Sequence, residues 1–349
     1  MSWSGGPLSG LASTCAWVDD QAGWTPGTAR AKVADRWSRL DVQTVHERSA
    51  RRAGISREAM VRTLGEYYGG DALHRVRFGR KSIATTITTR PEWLSSPPDK
   101  AMFVAPQDVR GIELDDAATQ AVIERLAEGI VLDTQDRAVF GASRLTEYAV
   151  TSGLLAAELA DSVTCKENMP LRDRWLPDLA TALDLGGRPC VSRVTTLYAF
   201  ARRRSEPSYV LVVPDGFHRP MIDPRADFAI EETVRREFEE QLPHPNHLPE
   251  PMRWLTEHDA LHIARTGFGI TLVNGNYEFT ALAAIDDPEF WGQYGDVWQT
   301  NREATGLRLC STRDRAALTD LLADESRSSA ELFALLQGLE WLNSNQRTP

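Results

Sequence analysis

Val212-Val-Pro-Asp-Gly-Phe-His218, followed by Ile230-Glu-Glu-Thr-Val-Arg-Arg-Glu-Phe-Glu-Glu-Gln-Leu242, is the stretch that decides how the second half of the chain is read. A short apolar strand runs into a Pro-Asp-Gly turn, and the charged segment beyond it predicts a helix over 227–242 with Asp227 as its N-cap. On such a helix Glu237, Glu240 and Gln241 stand at i, i+3 and i+4, so they share one face about 5 to 6 Å apart at Cβ. Two carboxylates this close repel unless solvent or a hard cation neutralises them, and Mg²⁺ takes carboxylate oxygens and often brings a phosphate with it. Glu232 and Arg236, at i and i+4, support the same helix.

Strands surround this segment. Residues 190–201 and 208–213 read as a pair joined by a basic turn, and Phe268–Val273 with Tyr277–Ile285 flank Asn274-Gly-Asn276, a strong hairpin signal. A further helix is expected over Pro251–Arg265. Helices near Arg313–Asp324 and Ser329–Leu342 and a short strand at Leu307–Ser311 close the chain.

The strand, loop and helix resemble the Nudix box. Arg236, Glu237, Phe238, Glu239 and Glu240 match that family's Arg-Glu-apolar-any-Glu-Glu core in order, and Pro214-Asp215-Gly216 stands where the family has Pro-Gly-Gly. The chain departs from the pattern at Gln241, where the last glutamate belongs, at Pro243 in place of glycine, and at Phe228 in place of the earlier box glutamate. The interval from Gly216 to Arg236 is also six residues longer than the motif's. The resemblance, which covers at most residues 190–285, implies a Nudix-like α/β/α sandwich and Mg²⁺-dependent cleavage, or binding, of a nucleoside-diphosphate-linked small molecule. It implies Glu237 and Glu240 as metal ligands, Gln241 orienting water or substrate, and Asp215 and Gly216 in the substrate loop. His218, in the same loop, is the candidate for phosphate contact or proton transfer.

The N-terminal part has a different character. Thirteen Lys or Arg against six acids make residues 29–81 net +7, whereas the whole 349-residue chain is −10. Such asymmetry is expected where one end of a protein meets phosphates, although a solvated helical face has the same composition. Within it, Ser49–Leu64 resembles the helix-turn-helix of bacterial repressors: Ala50, Gly54, Ile55, Ser56, Val61 and Leu64 hold the matching positions. That resemblance implies DNA contact by Ser56, Arg57 and Arg62. The alternative function is therefore a transcriptional regulator whose Nudix-like domain senses a ligand without cleaving it.

The fold expected from these pieces is α+β: an irregular arm over 1–28, a basic helical hairpin plus small sheet over 29–98, a mainly helical connection over 99–188, and a Nudix-like domain with C-terminal helices over 189–349. Four scattered cysteines form no CxxC pair, which disfavours a zinc ribbon or a disulfide framework and suggests a reducing, cytoplasmic setting. No run of 18 apolar residues is present, so no membrane partner is expected. His258 and His262, read as i and i+4 on a helix, superficially resemble a zinc-protease pair, but Asp259 is too short to act as its base. P-loop, GxSxG and GxGxxG motifs are absent from the sequence.

Overall fold

The computed structural model describes residues 8–95, 97, 115–133, 143–166, 168–184, 192–201, 209–213, 230–241, 250–300, 308–325 and 327–345. The chain divides into two compact units. One comprises Met1–Thr63, Val104–Cys190 and Val273–Gly275; the other comprises Leu64–Phe103, Val191–Leu272 and Asn276–Pro349. This division differs from the sequential one expected, because residues 64–103 join the C-terminal part rather than the helices that precede them.

The chain begins with helices α1 (Leu8–Gln21), α2 (Thr28–Ser38), α3 (Val42–Ala53) and α4 (Arg57–Tyr68). The small hairpin β1 (Arg75–Phe78) and β2 (Lys81–Ala84), strand β3 (Ile87–Thr88) and helix α5 (Pro91–Ser95) follow. Helices α6 (Asp116–Asp133), α7 (Ser143–Cys165), α8 (Pro170–Trp175) and α9 (Leu179–Leu183) come next. The remainder is β4 (Ser192–Ala201), β5 (Tyr209–Val213), α10 (Ile230–Gln241), α11 (Pro251–Glu257), β6 (Leu261–Thr271), β7 (Tyr277–Ile285), α12 (Pro288–Thr300), β8 (Arg308–Ser311), α13 (Arg315–Ala323) and α14 (Ser329–Asn345).

The first unit is helical among its described residues. Helix α1 corrects the expected irregular arm: Cys15 and Val18 are buried with Ala29 and Val33 of α2 and with Val122 and Leu154 of α6 and α7. The cap of α2 is equally non-local. Gly27 has no side chain to cap with, and the buried Asp19 carboxylate instead accepts from Gly27 N at 2.6 Å and Ala29 N at 2.7 Å. Periodicity alone runs through Trp37 and Leu40 to Val45, yet the helix breaks and restarts at Asp41, which caps Thr44 N. Ser56 caps Ala59 N of α4 and Asp115 caps Ala118 N of α6, each meeting an N–H that has no partner within its helix.

The second unit is built on a six-stranded mixed sheet of order β3-β6-β7-β4-β5-β8. Only β4 and β7 are parallel, paired from Ser192–Tyr277 to Phe200–Ile285; the other neighbours are antiparallel. The hairpin expected at Asn274-Gly-Asn276 joins β6 to β7, with Gly275 at φ 80°. Alternation along the strands splits the core in two. Leu197, Ala199, Leu282 and Ala284 face α13 and α14, whose leucines and Phe333 cover them. Tyr198 and Phe200 point the other way, against Phe238 of α10 and Phe290 and Trp291 of α12. On that same side Phe268 and Phe279 pack together, with Trp93 of α5 edge-on to Phe268. The architecture is therefore α+β, with helices on both faces of one sheet.

Two glycines set how closely α14 can approach the sheet, and a third sets the approach of β3. A Cβ at Gly267 would fall 2.9 Å from Thr280 Oγ1 and 3.3 Å from Phe333, and one at Gly338 would fall 2.6 Å from Leu197 Cδ2. At Gly269 it would meet Ile87 Cγ2 at 2.5 Å and the backbone oxygen of Thr88 at 2.9 Å. The helix itself starts with a capping box: Ser328 Oγ accepts from Glu331 N, and Glu331 accepts from Ser328 N. Gly269→Val is expected to lower stability by about 1 to 3 kcal/mol, the usual cost of overpacking, read as a lower urea midpoint. Gly153→Ala in α7, where nothing lies within 4 Å of a new Cβ, should instead gain up to about 1 kcal/mol of helix stability.

Candidate functional site

Helix α10 lies on the sheet through Ile230, Thr233, Val234, Glu237 and Phe238, all buried. These positions follow i, i+3, i+4, i+7, i+8, the stripe of a helix that covers a core. Glu237 thus belongs to the sheet-facing stripe and is only 5 % exposed. The exposed carboxylate face expected from its spacing with Glu240 is corrected at this residue. Glu240 and Gln241 form the last turn of α10, but their side chains, together with Asp215, Gly216 and His218, lie outside the described residues.

The neighbour of Glu237 on the sheet is Tyr198, itself 1 % exposed, whose hydroxyl is 3.5 Å from Val234 O. Burial raises the Tyr198 phenol well above its ordinary range, and the negative charge of Glu237 raises it further. At the other end of the helix Glu231 lies 3.7 Å from Arg265 of β6. Arg235, half-buried on α10, has an Nε with no hydrogen-bond partner among the described residues.

Mg²⁺ keeps several waters and near-octahedral geometry, which requires an open set of oxygens. Glu237, as a buried residue, does not offer that openness. Among the described residues no group of three or more His, Cys, Asp or Glu is placed to hold a metal. The histidine pair is also separated by the fold. Helix α11 ends at Glu257 and β6 begins at Leu261, so the expected helix over Pro251–Arg265 is corrected. His258 stacks on Trp254 with ring centroids 4.1 Å apart, and its Nδ1 lies 2.9 Å from Trp254 O, while His262 sits exposed on the strand.

Part of the basic segment is committed to ion pairs inside the first unit. Arg52 of α3 holds Asp161 of α7 with Nε at 2.8 Å and Nη2 at 2.6 Å, and reaches Glu128 of α6 with Nη1 at 3.1 Å. Arg48 pairs with the other oxygen of Glu128, and Arg36 lies 3.6 Å from Glu124. Of the residues expected to face DNA, Ser56 is the helix cap, Arg57 is half-buried and engaged within the fold, and Arg62 is exposed. The exposed line of α4 is Glu58, Arg62 and Glu66, a mixed-charge face rather than a cationic one.

One ionisable group stands out that no sequence motif marks. Glu278 of β7 is 3 % exposed, and its Oε2 has no hydrogen-bond partner among the described residues. It points to the α14 side of the sheet, opposite Gly269 and beside Arg193. Burial pushes its carboxyl up to about 7, and the positive charge of Arg193 only partly offsets this. The signal for it in the sequence is small, a single acid within the otherwise uncharged strand Tyr277–Ile285.

No protein-family model, curated protein or solved structure matches the chain. Among the described residues no helix is long and apolar enough to cross a membrane.

Two measurements check this account. Arg52→Ala leaves the buried Glu128 short of a partner and should cost about 2 to 3 kcal/mol in urea unfolding, against less than about 0.5 kcal/mol for exposed Arg62→Ala. For Glu278 the folded state holds its proton more tightly than the unfolded chain, so its contribution to stability declines as pH rises from about 5 through 7. Over that interval the wild type should lose roughly 2 kcal/mol relative to Glu278→Gln, and both should run parallel above pH 8.

Proposed function

We propose that the second unit is a Nudix-like α/β/α domain that binds a nucleoside-diphosphate-linked small molecule without hydrolysing it. The observation that carries this reading is the placement of α10. A helix bearing the Arg236-Glu237-Phe238-Glu239-Glu240 core follows strand β5 in the chain and packs by Val234 and Phe238 on a mixed sheet covered by helices on its other face. The order of strand, loop and box helix is the one the resemblance leads one to expect.

Two features favour binding over cleavage. The third carboxylate position of the box is Gln241, and Glu237 is buried. With both removed from the ligand set, Glu240 alone would be left to hold Mg²⁺ and activate water, too few charges for that chemistry. Arg235 places a guanidinium beside the box core, and its Nε is buried without a partner among the described residues.

Titration calorimetry of the full chain with a panel of nucleoside diphosphates and their sugar conjugates, with and without Mg²⁺, tests the reading. Binding without product is expected, with Arg235→Ala weakening affinity by roughly tenfold or more, as loss of a charge-assisted hydrogen bond would. Turnover that collapses in Glu240→Gln would instead establish a hydrolase, and absence of binding by every ligand would remove the Nudix-like reading altogether.

A further inference from the structure

We propose that the β1–β2 hairpin is a cationic ribbon that binds duplex DNA through its phosphate backbone. The inference rests on the hairpin alone and is independent of the ligand proposed for the sheet and α10.

The starting point is which positive charges remain available once the fold has formed. Arg36, Arg48 and Arg52 are paired with acids of α6 and α7, and Arg39 with Asp35. Arg75, Arg77, Arg80 and Lys81 are all exposed, and among the described residues none of them forms an ion pair. Arg75 bonds only to Ser82, at 3.1 Å to Oγ and 3.3 Å to the backbone oxygen. The sequence holds no acid between Asp71 and Glu92. Four cations therefore share a ten-residue element with no local neutralising charge.

The hairpin geometry gathers them. Val76, 3 % exposed, anchors β1 in the core, with Phe78 and Ile83 packed partly against the same cluster. Strand alternation then puts Arg75 and Arg77 on the outward face, opposite Ala84 and Ser82. Their Cα atoms are about 7 Å apart along the strand, close to the spacing of successive phosphates in a nucleic-acid strand. Gly79, at φ 59°, and Arg80 form the two-residue turn closed by Phe78 and Lys81, so the other two cations stand at the tip. The outward face thus carries guanidinium forks, which suit phosphate oxygens, and a serine hydroxyl.

Duplex DNA fits this ribbon better than other polyanions do. Its major groove, about 12 Å wide, admits a two-stranded β-ribbon, whereas the corresponding groove of duplex RNA is too narrow for side chains to enter. An anionic membrane is a flat surface that would also meet the acidic remainder of a chain with net charge −10. Membrane attachment further calls for apolar side chains to insert, and the large exposed apolar residues, Trp37 and Val42, are not on the hairpin.

The test is fluorescence anisotropy of the full chain with a short labelled random-sequence DNA duplex across about 50 to 200 mM salt. Binding at about 10⁻⁴ M or tighter is expected, with log affinity falling against log salt at a slope of roughly −3 to −4 for four phosphate contacts. Arg77→Ala/Arg80→Ala should reduce that slope by about 1.8 while leaving the urea midpoint unchanged, and Arg62→Ala should leave binding as it is. A slope lost in Arg62→Ala but kept in the hairpin variant would transfer DNA contact to α4 and overturn the proposal. So would failure to bind the duplex at low salt, tighter binding of an RNA duplex, or capture only by phosphatidylserine-containing vesicles.

Discussion

Strands β4 and β7 run parallel in register over nine residue pairs, and every residue of β7 is buried. A strand with no solvated face needs an apolar surface on each side of it, because neither side-chain set can turn to water. This constraint explains the helices. The leucines and Phe333 of α13 and α14 cover one set, and the aromatic residues of α10 and α12 cover the other. It also explains why Gly267 and Gly338 lie where sheet and helix come closest, since α14 could not seat on the strands with a Cβ at those points, while Gly269 leaves room for Ile87 and Thr88 of β3.

The same enclosure gives the polar residues of the sheet their unusual states. Thr266 can donate to Thr280 at 3.0 Å, so a buried pair of hydroxyls satisfies itself. Glu278 lacks a comparable partner for Oε2 and holds its proton near neutrality instead. Tyr198 is a related case on the opposite face, where burial and then the charge of Glu237 disfavour ionisation of the phenol.

Electrostatics organises the first unit by a different route. Bidentate Arg52 and its neighbour Arg48 join α3 to α6 and α7, so charge that looks available along the sequence is neutralised between helices. Forming such a half-buried network costs desolvation, and its benefit is mainly specificity of docking, since a helix rotated or shifted by one turn would leave Glu128 unpaired. The hairpin is spared this because its inward side is apolar and, among the described residues, its four cations form no ion pair. Net charge over a long segment therefore describes partners poorly until internal pairs have been subtracted.

By itself the sequence determined what depends on residues within about four positions of one another. The α10 helix, the Asn274-Gly-Asn276 turn, the caps at Ser56 and Asp115 and the short turn between α3 and α4 are all local, and each is decided by backbone preference or by a hydrogen bond closed within one turn. Tertiary structure alone decided the parallel pairing of β4 with β7, the capping of α2 by Asp19, the formation of α1, and the membership of residues 64–103 in the second unit. It also decided that Glu237 is buried and that Arg75, Arg77, Arg80 and Lys81, rather than Arg48 and Arg52, keep their charge exposed. Those outcomes depend on which surfaces meet across long loops, and helical or strand periodicity reports only that a face is apolar or charged, never which other face it will bury.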